Sequence, residues 1–215
     1  MKILAIDFSS GERSVAVWND GVESEVLETN PQTANALGMM DAALGGAKLE
    51  REEIEVVVVG LGPGSYTGIR ASIALAQGWQ LARGVKLLGI SSAQAIAVQA
   101  QASGMRGEVT IVIDAQRGEF YSATYELTND QAREIAKLKI VSADELRAKA
   151  AAGGNLIGPE VTRWFPNGKI ISSRARMLAR LASEGRHEFV SGEKLEPIYL
   201  RETTFVKAPP ARVIG

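Results

Sequence analysis

The sequence predicts an α/β chain built as two duplicated halves with a cleft between them. Three observations carry this. The apolar β-branched run Val56–Val59 leads into the glycine-rich stretch Gly60–Gly68 and then a long helical pattern, the strand–turn–helix unit of a sheet buried on both faces. An order of three strands, helix, strand, helix at the front returns in shortened form at the back. Each half also opens with a strand that ends in aspartate, Asp7 in the first and Asp114 in the second.

Lys2–Phe8, Arg13–Trp18 and Val22–Leu27 read as strands, because apolar residues alternate or run together between turn residues. Ser9-Ser10-Gly11 and Asn19-Asp20-Gly21 supply the turns, and the latter is a strong hairpin signal. A helix is expected over roughly Thr33–Lys48, then strand Ile54–Gly60, helix Thr67–Arg83, strand Lys86–Ile90 and helix Ser92–Gln101. The second half begins with strand Glu108–Ala115, the turn Gln116-Arg117-Gly118 and strand Glu119–Leu127. A strand near Ile135–Val141, helix Ala143–Ala152, a short strand Asn155–Gly158 and helix Arg174–Gly185 follow. The short linker Ala102–Gly107 divides the chain into a first half, residues 1–104, and a smaller second half, residues 105–215, with a tail from Val206 that carries Pro209-Pro210. A single mixed sheet with helices on both faces is the alternative architecture.

Composition narrows the chemistry. At 215 residues the chain has ample material for a core, and 46% hydrophobic with 23% charged residues is ordinary for a globular protein. The absence of Cys excludes disulfides, thiolate metal sites and a thiol nucleophile, and the single histidine, His187, leaves little imidazole chemistry. Lys+Arg 24 against Asp+Glu 25 gives no basic excess of the kind that nucleic-acid binding by the isolated chain would use. Neither a membrane-length apolar run nor a signal peptide is evident, so the expected location is cytoplasmic.

Four motifs resemble one family. Ile6-Asp7-Phe8-Ser9-Ser10, Gly62-Pro63-Gly64-Ser65-Tyr66-Thr67-Gly68-Ile69-Arg70, Ile113-Asp114-Ala115-Gln116-Arg117-Gly118-Glu119-Phe120-Tyr121 and Pro197-Ile198-Tyr199-Leu200-Arg201 stand in the order and spacing of the bacterial TsaB (YeaZ) family. The second and third motifs are the specific ones. The resemblance implies the actin-like, sugar-kinase-like, Hsp70-like (ASKHA, ribonuclease H-like) fold of two duplicated α/β halves. It also implies a non-catalytic subunit in making N6-threonylcarbamoyladenosine at position 37 of tRNAs that read ANN codons. The implied partners are the catalytic paralogue TsaD and the ATPase TsaE, with a homodimer when the chain is alone and tRNA contacted mainly through the complex. The isolated chain would need no cofactor, with ATP or ADP entering only in the complex.

The catalytic paralogue holds a metal through two histidines four residues apart, a spacing that puts both imidazoles on one helix face. Here Ser92 and Ile96 stand at roughly those positions, so no catalytic and no metal-holding residues are assigned. A zinc peptidase is disfavoured on the same ground. In the wider superfamily an Asp at the first turn holds Mg²⁺ through water while the hairpin cradles phosphates. Asp7, Ser9, Ser10, Asp114 and Arg117 occupy those places and form the candidate nucleotide cleft. Phe8, however, replaces the Thr usual in the family, and Asp7 is expected to hydrogen-bond its own turn while Phe8 packs inward. Asn155-Leu156-Ile157-Gly158-Pro159-Glu160 only loosely resembles an adenosine-side turn. A stand-alone ATPase or small-molecule kinase using Asp7 and Asp114 is the alternative function.

The first-half helices point to a partner. Small residues recur at Ala34, Gly38, Ala42 and Gly45, and again at Gly68, Ala71, Gly78 and Ala82, with Leu75 in the same row. A glycine inside a helix costs about 0.5–1 kcal/mol against alanine, so an offsetting close contact is expected, either with this chain's own sheet or with another helix. In the family these helices pair with TsaD as a four-helix bundle. The resemblance thus implies an interface at Ala34, Leu37, Gly38, Asp41, Ala42, Thr67, Arg70, Ala71, Ala74, Gln77 and Gly78, with Arg70 and Gln77 as polar rim contacts.

Overall fold

Two five-stranded sheets, each built in the same way, make up the computed structural model, which describes residues 1–30 and 35–200. In the first half, β1 (Lys2–Asp7), β2 (Arg13–Asn19) and β3 (Val22–Glu28) form an antiparallel meander, and β4 (Val56–Gly60) and β5 (Lys86–Ile90) add in parallel on the other side of β1. In the second half, β6 (Gly107–Asp114), β7 (Glu119–Leu127) and β8 (Ala132–Ser142) repeat the meander, and β9 (Asn155–Gly158) and β10 (Lys169–Ile170) repeat the parallel side. Both sheets read third-second-first-fourth-fifth strand, so the duplication seen in the sequence is a duplication of topology. The single-sheet alternative is not adopted.

Strand periodicity explains how the helices are distributed. Successive side chains point to opposite faces, so Leu4, Ile6, Val15, Val17, Val57 and Val59 turn one way, beneath α1 (Ala36–Gly46) and α2 (Tyr66–Arg83). Ile3, Ala5, Ala16, Val56 and Val58 turn the other way, against α3 (Ser92–Ala102) and α5 (Ala175–Ser183). Helix α5 therefore lies on the first sheet although it comes late in the chain. Helix α3 carries Ala95 and Val98 into that layer and Ala93, Ile96, Ala97 and Ala100 into the core of the second sheet, and apolar side chains all round suit such a sandwiched helix. The last core holds Val112, Phe120, Leu156 and Phe165 with α4 (Ala143–Ala151).

Caps close both ends of α2. The Ser65 side chain accepts the Gly68 N–H at 3.3 Å to start α2, and Gly84, at φ 69°, ends it. Two elements depart from expectation. β8 is longer than Ile135–Val141, because it is an exposed edge strand held by backbone pairing to β7 through two register shifts, and of the added residues Ala132, Arg133, Glu134 and Ser142 three are polar. The two residues of β10 are too few to leave a pattern. After α5 the chain runs back along the first half: Val190 bridges to Leu87, Gln77 and Gln80 hydrogen-bond Gly192, and the Ile198 amide donates to the Leu61 carbonyl at 2.8 Å.

Candidate functional site

Chain reversals of the two halves face each other across a cleft of about 550 Å³. Ser9, Ser10, Gly11 and Arg13 line it from the β1–β2 turn, and Ser65 and Tyr66 from the start of α2. Asp114 and Gln116 line it from the end of β6, with Glu160, Trp164 and Tyr199 completing the walls.

Asp7 ends β1 but does not line this cleft. Its side chain is fully buried. One carboxylate oxygen accepts the Ser9 amide at 2.8 Å and the other accepts the Ser173 hydroxyl. Gly60 packs so closely that a Cβ there would lie 2.8 Å from the second oxygen. Burial raises the Asp7 carboxyl above its ordinary value, against the opposing pull of the hydrogen bonds from Ser173 and Ser9. Phe8, 1% exposed, packs into the core. Asp114 is partly exposed on the cleft wall, and its oxygens accept the Gln116 amide at 2.8 Å and the Gln116 side chain at 3.0 Å. Arg117 is exposed on the turn and is not among the lining residues. Of the five candidate nucleotide residues, Ser9, Ser10 and Asp114 thus come together at the cleft, Asp7 lies enclosed behind it, and Arg117 is outside its walls. Two carboxylate oxygens already taken, with glycine backbone against them, do not fit a hydrated Mg²⁺ at Asp7.

The glycine-rich turn is filled by its own chain. A Cβ at Gly64 would lie 2.0 Å from the Ser9 carbonyl oxygen, and one at Gly68 1.9 Å from that of Phe8. The Ser65 amide donates to the Ser9 carbonyl at 2.7 Å, and the Gly62 amide donates to the Ser92 hydroxyl at 3.2 Å. These glycines let α2 start directly on the β1–β2 turn. Gly68 therefore departs from the expected stripe, being buried inside the protein, and Leu75 is partly buried with the core. Gly158 does the same work in the second half, since a Cβ there would lie 1.9 Å from the Val112 carbonyl oxygen.

The rest of the stripe is open. Leu37, Gly38, Asp41, Ala42 and Gly45 on α1 are exposed, as are Thr67, Arg70, Ala71, Ala74, Gln77, Gly78 and Ala82 on α2. Ala34 lies outside the described residues. An added Cβ at Gly45 or Gly78 meets nothing within 4 Å, and Leu37 and Leu81 stand 54% and 91% exposed beside them. Asp41 accepts from the Arg51 Nε at 2.9 Å, and the Gln77 side chain donates to the Gly192 carbonyl. The Arg70 guanidinium sits 3.9 Å from the centre of the Tyr66 ring and 5.7 Å from that of Tyr199, joining the helix face to the cleft mouth.

Ser92 and Ile96, at the expected ligand positions of the paralogue, are each 1% exposed and packed. No group of three or more His, Cys, Asp or Glu side chains able to hold a metal occurs among the described residues. Sequence reasoning missed Ser173, which lies 166 residues from Asp7 and carries no local signal, and Arg13, whose place beside a turn is the one mark it bears.

Two halves of identical strand order facing a common cleft define a protein of the actin-like, sugar-kinase and Hsp70 fold class. The family model for TsaD, tRNA N6-adenosine threonylcarbamoyltransferase, matches residues 29–195. The chain belongs to this family and, within it, to the TsaB (YeaZ) proteins. The Escherichia coli tRNA threonylcarbamoyladenosine biosynthesis protein TsaB is 28% identical over 99% of this chain and 100% of its own length. Its counterpart from Haemophilus influenzae is 27% identical over 97% and 98%. A solved structure of an uncharacterized Pseudomonas aeruginosa protein, described as similar to peptidase YeaZ, superposes with a TM-score of 0.81 at 25% identity, over 93% of this chain and 99% of its own. Among the described residues no helix is long and apolar enough to cross a membrane.

Proposed function

We propose that this chain acts in threonylcarbamoyladenosine biosynthesis on tRNA as a non-catalytic scaffold and activator, docking through α1 and α2 on the catalytic TsaD subunit and helping to recruit the ATPase TsaE. The observation that carries the reading is the exposed row Leu37, Gly38, Asp41, Ala42 and Gly45 beside Thr67, Ala71, Ala74, Gly78 and Leu81. Interior glycines cost helix stability, and Gly45 and Gly78 have no close neighbour among the described residues to account for them. Small side chains let a second pair of helices approach closely, while the exposed leucines supply apolar area. The names of the full-length relatives place those proteins in the same biosynthesis, and the near-neutral charge suits a subunit that leaves most tRNA contact to its partners.

Co-expression tests the pairing: this protein and its host's TsaD should elute together at micromolar concentration, and separate elution with and without TsaE and ATP would end the scaffold reading. Gly78→Arg and Gly45→Arg should each abolish co-elution. Both replace an exposed helix glycine by a better helix former, so the thermal transition of the isolated chain should stay put or rise, by up to about 1 kcal/mol in stability. Loss of stability would instead mark these positions as internal packing. Gly38 is a poorer probe, because a Cβ there meets the Asn35 cap at 3.1 Å.

A further inference from the structure

We propose that the cleft between the halves binds a small organic anion without a metal ion, through the Arg13 guanidinium. The cleft survives as a cavity of about 550 Å³ although the carboxylate that would hold Mg²⁺ is enclosed by Ser9, Ser173 and Gly60. What the first half presents instead is a cation. Arg13 lines the cleft, forms no ion pair among the described residues, and keeps its Nε buried without a hydrogen-bond partner. Buried donors are almost always paired, and a guanidinium cannot shed its charge to escape the cost. A carboxylate or phosphate oxygen in the cleft would meet the terminal nitrogens of this guanidinium, whose planar fork suits either.

Two neighbours support this placement. The Phe8 ring lies 5.4 Å from the Arg13 guanidinium carbon and helps to hold the cation in position. Tyr66, Trp164 and Tyr199 line the same space and give it an aromatic wall for the body of a ligand. Of the two carboxylates on the walls, Asp114 has both oxygens engaged by Gln116 and Glu160 is exposed, which leaves the anion to the first-half wall. The ligand class is a small molecule that has both an oxyanion and a flat ring, as aromatic carboxylates and nucleoside monophosphates do.

Calorimetry on the isolated full chain tests this, with benzoate and AMP as separate probes in EDTA and MgATP as a third arm. At least one metal-free probe should bind in the millimolar range or better, and which of them does so identifies the source of the oxyanion. Arg13→Gln should weaken that binding ~10-fold or more, with partial rescue by Arg13→Lys, as expected for a lost bidentate contact. Thermal melts of both variants, expected near that of the parent, separate lost binding from lost fold. No binding of either probe, binding that needs Mg²⁺, or binding unaltered in a folded Arg13→Gln protein would overturn the proposal. It is independent of the TsaD pairing, which co-elution reads without any cleft ligand.

Discussion

Replacing Gly68 by alanine is expected to cost this protein about 3 kcal/mol or more. The new Cβ would lie 1.9 Å from the Phe8 carbonyl oxygen, a contact no rotamer can relieve because both atoms belong to the backbone or lie next to it. Neither side has room to retreat. Phe8 follows directly on β1, the central strand, whose Ile6 pairs with Val15 on one side and Val59 on the other. The first turn of α2 is tied to the same place by the Ser65 amide on the Ser9 carbonyl. Gly78→Ala, on the open side of the same helix, should by contrast stabilise by roughly 0.5–1 kcal/mol. Urea unfolding of the two variants checks both signs, and a Gly68→Ala protein as stable as the parent would mean that the helix does not rest on the turn as described.

Asp7 should show the second large effect, and its sign depends on the replacement. Asp7→Ala removes the acceptor for a buried amide and a buried hydroxyl, at a cost of about 2–4 kcal/mol. Asp7→Asn keeps an oxygen for the Ser9 amide and offers an N–H₂ to the Ser173 oxygen, so the shape survives without the charge. Because burial raises the folded-state carboxyl above its unfolded value, the folded protein binds this proton more tightly. Its contribution is then greatest below the unfolded value, near 3.8, and is lost as pH rises through the folded one. Asp7→Asn should therefore be at least as stable as the parent at pH 7 and gain least, or lose, near pH 4. The difference between the two unfolding free energies at those pH values isolates Asp7 from every other carboxylate. A difference growing in the opposite direction would show that the hydrogen bonds outweigh burial and hold the carboxyl below its ordinary value.

Much of the architecture was legible because it is written in local periods and turn chemistry. Alternating and continuous apolar runs marked nine of the strands, and the helix expected over Thr67–Arg83 is α2, Tyr66–Arg83. The repeated order of elements, with Asp7 and Asp114 at matching strand ends, foretold two sheets of one topology. The inward turn of Phe8 and the local hydrogen bond of Asp7 followed from short polar side chains beside a tight turn. The site was less legible. Ser173 closes on Asp7 across 166 residues, and no periodicity relates them. Arg13 looks in the sequence like any cation near a turn, and what distinguishes it is its place on the cleft wall with a buried, unpartnered Nε. Helix α5 was readable as a helix, yet its docking on the first sheet was not, since an apolar face does not say which sheet it will meet.

Gly68 and Gly78 show where the division falls. The sequence by itself determined that both lie in one long helix after a buried strand, that the chain is a doubled α/β unit, and that its motifs resemble one family. These follow from interactions between residues a few positions apart, which periodicity and capping record. Only the tertiary structure decided that Gly68 is pressed against the Phe8 backbone while Gly78 meets nothing close among the described residues, and that Asp7 is enclosed while the Arg13 Nε has no hydrogen-bond partner among them. Those outcomes depend on how the sheets and helices approach one another, and burial and hydrogen-bond satisfaction are summed over contacts that the chain makes only when all its layers are assembled.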